Sequence, residues 1–172
     1  VGGIFFTDKI EKYIPPKGGK NHALYIVREL LTAHPQNGKT NISEALHFFN
    51  RNTRQKSIAF IMSDFIDDNY ESGLKVIAPR HDVIGLHVYD KMDNQLPEMG
   101  MVKVEERETG KTVWLDSSDK LIRHQYHQNF INRSTHCKNI FAKAGADLLH
   151  LQTSDDYVKI LQQFFKRRKV NR

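Results

Sequence analysis

Cysteine is almost missing from the chain, with Cys137 alone among 172 residues. One thiol cannot close an internal disulfide, and a lone buried cysteine suits a reducing compartment, so the cytosol is the expected location. Long apolar runs are also lacking. The longest, Ile58 to Met62, has five residues, against the roughly twenty that a membrane-spanning helix needs. No transmembrane segment is therefore expected, and the opening has no basic stretch followed by an apolar run, as a secretory signal would. The chain starts on Val1 rather than Met, as a processed or excised piece would. Internal repeats and low-complexity segments are absent, as are Gly-x-Ser-x-Gly, which a serine nucleophile elbow requires, and a Walker loop. Pro16-Lys17-Gly18-Gly19-Lys20 has neither the Walker spacing nor the hydroxyl after its lysine.

What is present is an ordinary globular composition, 39% hydrophobic and 27% charged. The length fits one domain over residues 1–172. The net charge is +6, but Lys166, Arg167, Arg168, Lys169 and Arg172 supply five of those charges, leaving +1 for the rest. A basic excess gathered at one end without interleaved aromatics reads as a solvated, frayed terminus rather than a nucleic-acid face.

Periodicity divides the chain into alternating strands and helices. Val1 to Phe6 reads as a buried strand, and Lys9 to Ile14 as a short edge strand closing a hairpin. Ala23, Leu24, Val27, Leu30 and Leu31 recur at helical spacing, and Ile42, Ala45, Leu46 and Phe49 mark a second helix capped by Thr40 or Asn41. Ser57 to Ser63 has no alternation and predicts a central strand buried on both faces. Asp67 to Arg80 is a weaker helix, and Asp82 to Tyr89 a second apolar strand. Met101 to Glu106 and Lys111 to Leu115 flank Glu108-Thr109-Gly110, a hairpin signal that includes Trp114 as a packing anchor. A long helix capped by Ser117 or Ser118 carries Ile122, Tyr126, Phe130, Cys137, Phe141 and Ala144, and Gly145 terminates it. A strand over Asp147 to Leu151 and an amphipathic helix with Tyr157, Val158, Leu161, Phe164 and Phe165 complete the pattern. The expected fold class is α/β, a three-layer sandwich with a mostly parallel sheet and helices on both faces.

In such sheets ligands gather beyond the carboxyl ends of the strands. Thr7-Asp8 follows the first strand, Ser63-Asp64 the central one with Asp67 and Asp68 behind, and Thr40 opens a helix. Hydroxyl and carboxylate oxygens at strand ends are the hard donors that Mg²⁺ or Mn²⁺ prefers. The competing reading is structural: Thr40, Asp67 and Asp68 cap helices and Asp8 begins a turn. His124 and His127 share a helix face, but no further ligand stands at supporting spacing for zinc.

Several strings together resemble a known bacterial family. They are Gly3-Ile4-Phe5-Phe6-Thr7-Asp8, Tyr13-Ile14-Pro15-Pro16, Thr40-Asn41-Ile42-Ser43-Glu44-Ala45-Leu46 and Ile61-Met62-Ser63-Asp64-Phe65-Ile66-Asp67-Asp68, with Arg80-His81-Asp82-Val83-Ile84, Tyr89-Asp90, Leu96-Pro97 and the stretch from Glu108 through Asp116. The chain is similar over nearly its whole length to the domain of unknown function numbered fifty-eight, part of which resembles a von Willebrand factor A domain. By that resemblance Thr40 and Asp64 are the threonine and aspartate of a metal-ion-dependent adhesion site for Mg²⁺ or Mn²⁺. The DxSxS loop that completes such a site does not occur here, and in the family pattern it lies on a strand and helix before Val1. The fold is accordingly expected to be truncated at its N-terminus, with Val1–Phe6 and Ser57–Ser63 lacking the strand between them. Either those two strands pair directly or a homodimer fills the gap. Phe65 stands where many such domains carry glycine, and relatives share the bulky residue.

The resemblance implies a non-enzymatic protein-binding module acting in complex assembly, with a MoxR-type AAA+ ATPase as the partner. The alternative is a Mg²⁺- or Mn²⁺-dependent phosphoester hydrolase using Asp8, Asp64, Asp67 and Asp68, which needs several convergent carboxylates.

Overall fold

The alternation of apolar runs and helical periods builds, in chain order, β1 (Gly3–Phe6), β2 (Ile10–Ile14), α1 (Lys20–Leu31), α2 (Ile42–Asn52), β3 (Ile58–Ser63) and α3 (Glu71–Ile77). There follow β4 (Asp82–Tyr89), α4 (Lys91–Asn94), β5 (Met101–Glu105), β6 (Thr112–Asp116), α5 (Lys120–Ala144), β7 (Asp147–Gln152) and α6 (Tyr157–Val170). These elements belong to a computed structural model that describes residues 1–35, 39–67, 69–105 and 112–170. The Glu108-Thr109-Gly110 turn and Asp68 lie outside the described residues.

The centre is a parallel sheet ordered β3-β4-β7. Its register sets Ser63 opposite His87 and His87 opposite His150, so the carboxyl ends of all three strands reach one rim. β1 and β2 pair antiparallel, as do β5 and β6, each as a separate two-stranded ribbon. The expected α/β sandwich with helices on both faces is therefore the observed architecture. The direct pairing of the first strand with the central one is not: among the described residues β1 pairs only with β2 and β3 only with β4.

One face of the trio is closed by α2, α3 and α5. Ile42 and Leu46, Leu74 and Ile77, and Cys137, Ile140 and Phe141 meet Val83, with Ala59 and Ile61 packed against them. α6 covers the other face, placing Phe164 on Ile84, Leu86 and Leu151. The pattern on β3 corrects the expectation of two buried faces. Ala59 and Ile61 are half-buried, but Ile58, Phe60 and Met62 point into solvent because α6 stands over β4 and β7. α1 also departs from expectation: it buries no residue, and Leu24, Leu30 and Leu31 of its apolar stripe are exposed. Trp114 is not a packing anchor either. It is 61% exposed on a ribbon at whose base Ser117 Oγ accepts from Met99 N and donates to Gly100 O.

Helix ends explain the remaining shifts. Asp119, not Ser117 or Ser118, caps α5 by accepting from Leu121 N at 2.7 Å, while Gly145 ends it at φ 73° as expected. The basic end of α6 is pinned rather than frayed, since Arg168 pairs with Asp82 at 2.5 Å and with Asp147 at 3.3 Å. Its guanidinium is held above the usual range, chiefly by the Asp82 hydrogen bond.

A Cβ on Gly85 of β4 would lie 2.5 Å from the Phe141 ring and 2.7 Å from Leu148. Gly85→Ala should overpack this point and cost about 1–3 kcal/mol, read as a lower urea midpoint, whereas Gly18→Ala, with open space around it, should leave the midpoint in place.

Candidate functional site

The rim at the carboxyl ends of the strands is built by backbone groups seeking partners. Asn41 N donates to Thr7 O at 2.9 Å, which joins the end of β1 to the start of α2. The Asn41 side chain caps α2 by accepting from Glu44 N at 3.0 Å, so Thr40, half-buried just before it, is not the cap. Asp67 reaches across from the loop after β3. Its Oδ2 accepts from Ile42 N at 2.7 Å and its Oδ1 from Asn69 N at 2.9 Å. A carboxylate at a helix N-terminus satisfies an orphan donor and complements the dipole. Asp67 thus straps the Thr40 and Asp64 segments together, which also explains why α3 begins only at Glu71.

Asp64 itself is exposed, in a turn where its Oδ1 accepts from Ile66 N and from Ser63 Oγ, both at 3.4 Å. Ser63 Oγ in turn accepts from Phe65 N at 3.1 Å. Phe65 has φ 52°, the only positive value among the described non-glycine residues. A bulky side chain in that region is strained. Its ring is nonetheless buried, 5.2 Å from Phe141 and 5.6 Å from Tyr70, so core packing holds the turn that presents Asp64. On the neighbouring strand end, Asp90 caps α4 and accepts from Thr153 Oγ1 at 2.7 Å, and these hydrogen bonds keep its carboxyl below the usual range.

Beneath the rim lies a pair of imidazoles that spacing alone does not single out. His87 of β4 and His150 of β7 stand opposite in register, with their Nδ1 atoms 2.9 Å apart. One Nδ1–H must donate to the other's bare nitrogen, so at least the accepting ring is neutral. His87 is buried among Phe65, Tyr89 and Phe130. Burial, then the His150 charge, pushes its pKa down to about 4, with Asp64 opposing. Desolvation and Lys138 lower that of His150, and burial with Arg80 lowers that of His81. The parallel register was needed to find this pair, because 62 residues separate its members.

Thr40 and Asp64 offer oxygen donors of the type that Mg²⁺ or Mn²⁺ takes, but one hydroxyl and one carboxylate fall short of about six ligands. Asp67 has both its oxygens engaged by backbone N–H groups, which orients it toward α2 and the loop. Asp8 sits across the β1 end, accepting from Thr7 Oγ1 at 3.3 Å. Among the described residues no three His, Cys, Asp or Glu gather as a metal site. His127 instead bonds Asn94, and His124 is exposed. The residues present do not by themselves fit the ion.

The sequence model of the family described as "Protein of unknown function DUF58" matches residues 1–136. The chain belongs to this family. It is 26% identical over 159 residues to the uncharacterised protein MAV169 of Mycobacterium avium, covering 91% of this chain and 94% of that protein. It is 27% identical over 172 residues to the uncharacterised protein Rv1480 of Mycobacterium tuberculosis, covering 98% of this chain. The chain spans about half the length of Rv1480, 54%. The crystal structure of the conserved hypothetical protein BatB from Bacteroides thetaiotaomicron is similar with a TM-score of 0.60 at 16% identity, over 96% of this chain and 77% of that one. The fold is von Willebrand factor A-like. No helix among the described residues is long and apolar enough to cross a membrane.

Two outcomes are expected. Phe65→Gly relieves strain of about 1–2 kcal/mol but empties a core site worth about 3–5 kcal/mol, so urea unfolding should show a net loss near 2 kcal/mol. Between pH 6.5 and about 4 the unfolded chain takes up protons that folded His87 refuses, so stability should fall as pH drops through that window, by on the order of 2 kcal/mol. His87→Asn should flatten part of that slope in urea titrations at stepped pH.

Proposed function

We propose that this chain is a non-enzymatic protein-binding module acting in complex assembly, with the Asp64 rim as its binding face and a MoxR-type AAA+ ATPase as its partner. The carrying observation is the presentation of Asp64: an exposed carboxylate on a turn whose backbone is fixed by the buried Phe65 ring. A preorganised charge loses little freedom on association and suits recognition of a basic group on a partner. Thr40 lies on the adjoining α2 segment, which Asp67 holds to the same loop. The contact rests on the Asp64 charge and requires no ion. Phosphoester hydrolysis finds less support, because among the described residues no three His, Cys, Asp or Glu converge as the several carboxylates that two ions demand.

Surface plasmon resonance between the chain and a MoxR-type ATPase tests this reading. Asp64→Arg should weaken the complex at least tenfold, about 1.4 kcal/mol, with an unchanged unfolding midpoint. Phosphodiester turnover in Mg²⁺ or Mn²⁺ that Asp64→Asn abolishes would overturn it.

A further inference from the structure

The β5–β6 ribbon stands clear of the sheet. Phe130 of α5 packs on Tyr89, the last residue of β4, with ring centroids 4.9 Å apart. α5 begins ten residues earlier, at Lys120, which at 1.5 Å per residue carries its first turns about 15 Å past the rim. The ribbon rises from that end. Arg123 fixes its base by donating to Ser117 O and pairing with Glu98 at 3.3 Å. Ladder geometry then decides which backbone groups face outward. Ser117 N donates to Gly100 O at 2.8 Å, and bonded and non-bonded pairs alternate along an antiparallel ladder. Val102 with Leu115 and Val104 with Val113 are therefore bonded pairs, while Lys103 with Trp114 and Glu105 with Thr112 turn their backbone N–H and C=O groups away from each other. Asp116 O accepts from Asp119 N at 3.2 Å. Among the described residues, Thr112 and Trp114 are thus the open groups of the β6 edge.

A two-stranded ribbon alone is marginal in water, and an open edge without charge invites a further strand. The β5 edge carries Lys103, whereas Thr112 to Leu115 of β6 has no charge, proline or glycine. Val113 and Trp114 there are 54% and 61% exposed. We propose that β6 pairs antiparallel with β6 of a second copy, joining two ribbons into one four-stranded sheet. The two-fold axis passes beside Val113. Thr112 of each chain then exchanges both backbone hydrogen bonds with Trp114 of the other, and Val113 meets its own copy. Because Val104 stands opposite Val113 within each ribbon, an apolar row of four valines crosses the sheet. The residues that meet are uncharged, so no like charges oppose each other. The net charge does not resist this pairing either. Five of the six positive charges lie at Lys166 and beyond, and Arg168 ties that end to Asp82 and Asp147, where β4 and β7 begin. The eight residues of β4 put about 26 Å between that end and the rim, so the basic ends stay far apart. The ribbon is inserted between β4 and α5, away from the β1–β3 gap.

Sedimentation velocity on the chain at rising concentration tests this. A stable complex buries about 1,200–2,000 Å²; this edge is short, so a monomer–dimer equilibrium should emerge in the high micromolar range. Val113→Lys sets two like charges face to face on the axis and should abolish the dimer with an unchanged urea midpoint, because the side chain it replaces is exposed. Oxidation of Val113→Cys should link two chains, since a non-bonded antiparallel pair holds its Cα atoms about 4.5 Å apart, within disulfide reach. Met101→Cys, on β5, should not, and the native Cys137 is buried. Asp64→Arg should leave the dimer intact, which separates this edge from the rim. A monomer at every concentration, or a dimer that survives Val113→Lys, overturns the proposal. So does Met101→Cys linking as readily as Val113→Cys, since the copies would then meet elsewhere.

Discussion

Phe141 sits where β4 has no side chain. Its ring fills the space that any Cβ at Gly85 would claim, and from there it touches Phe65 and Tyr70. A fully buried aromatic in this position locks α5 to the sheet and, through Phe65, holds a backbone turn that the residue would not choose alone. The conformation of the Asp64 loop is thus a consequence of core packing one layer below it.

The rim depends on that lock and on the Asp67 strap. Without Asp67 the first N–H of α2 would lack a partner, and the Thr40 segment would have no fixed relation to the loop after β3. The carboxylate is oriented by those two backbone donors. What remains at the surface is a charge held still, which suits recognition better than bond breaking. The His87–His150 pair beneath adds a pH dependence to the same assembly, since it bridges two parallel strands only while at least one ring keeps a bare Nδ1.

Coverage of the sheet follows a different constraint. Among the described residues the two ribbons do not extend the trio, and Ile58, Phe60 and Met62 of β3 are exposed. Three helices pack on the inner face and α6 on the outer, over β4 and β7.

Much of the fold was readable from sequence because local signals agreed with it. Alternating strand and helix periods placed β4 within its observed bounds, Gly145 ended α5, and the polar ends Thr7, Asp64 and the α2 start fell on one rim. Local pattern could not show which face of an apolar run would find a partner, and so Ser57 to Ser63 read as doubly buried and Trp114 as an anchor. It also could not tell that Asp67 caps a helix 25 residues away, that Arg168 pairs with Asp82, or that two distant histidines share a proton. Sequence by itself determined element type, polarity and order, which depend on neighbours a few residues apart. Tertiary structure alone decided burial, strap and strain, because those depend on contacts that exist only once remote segments are brought together.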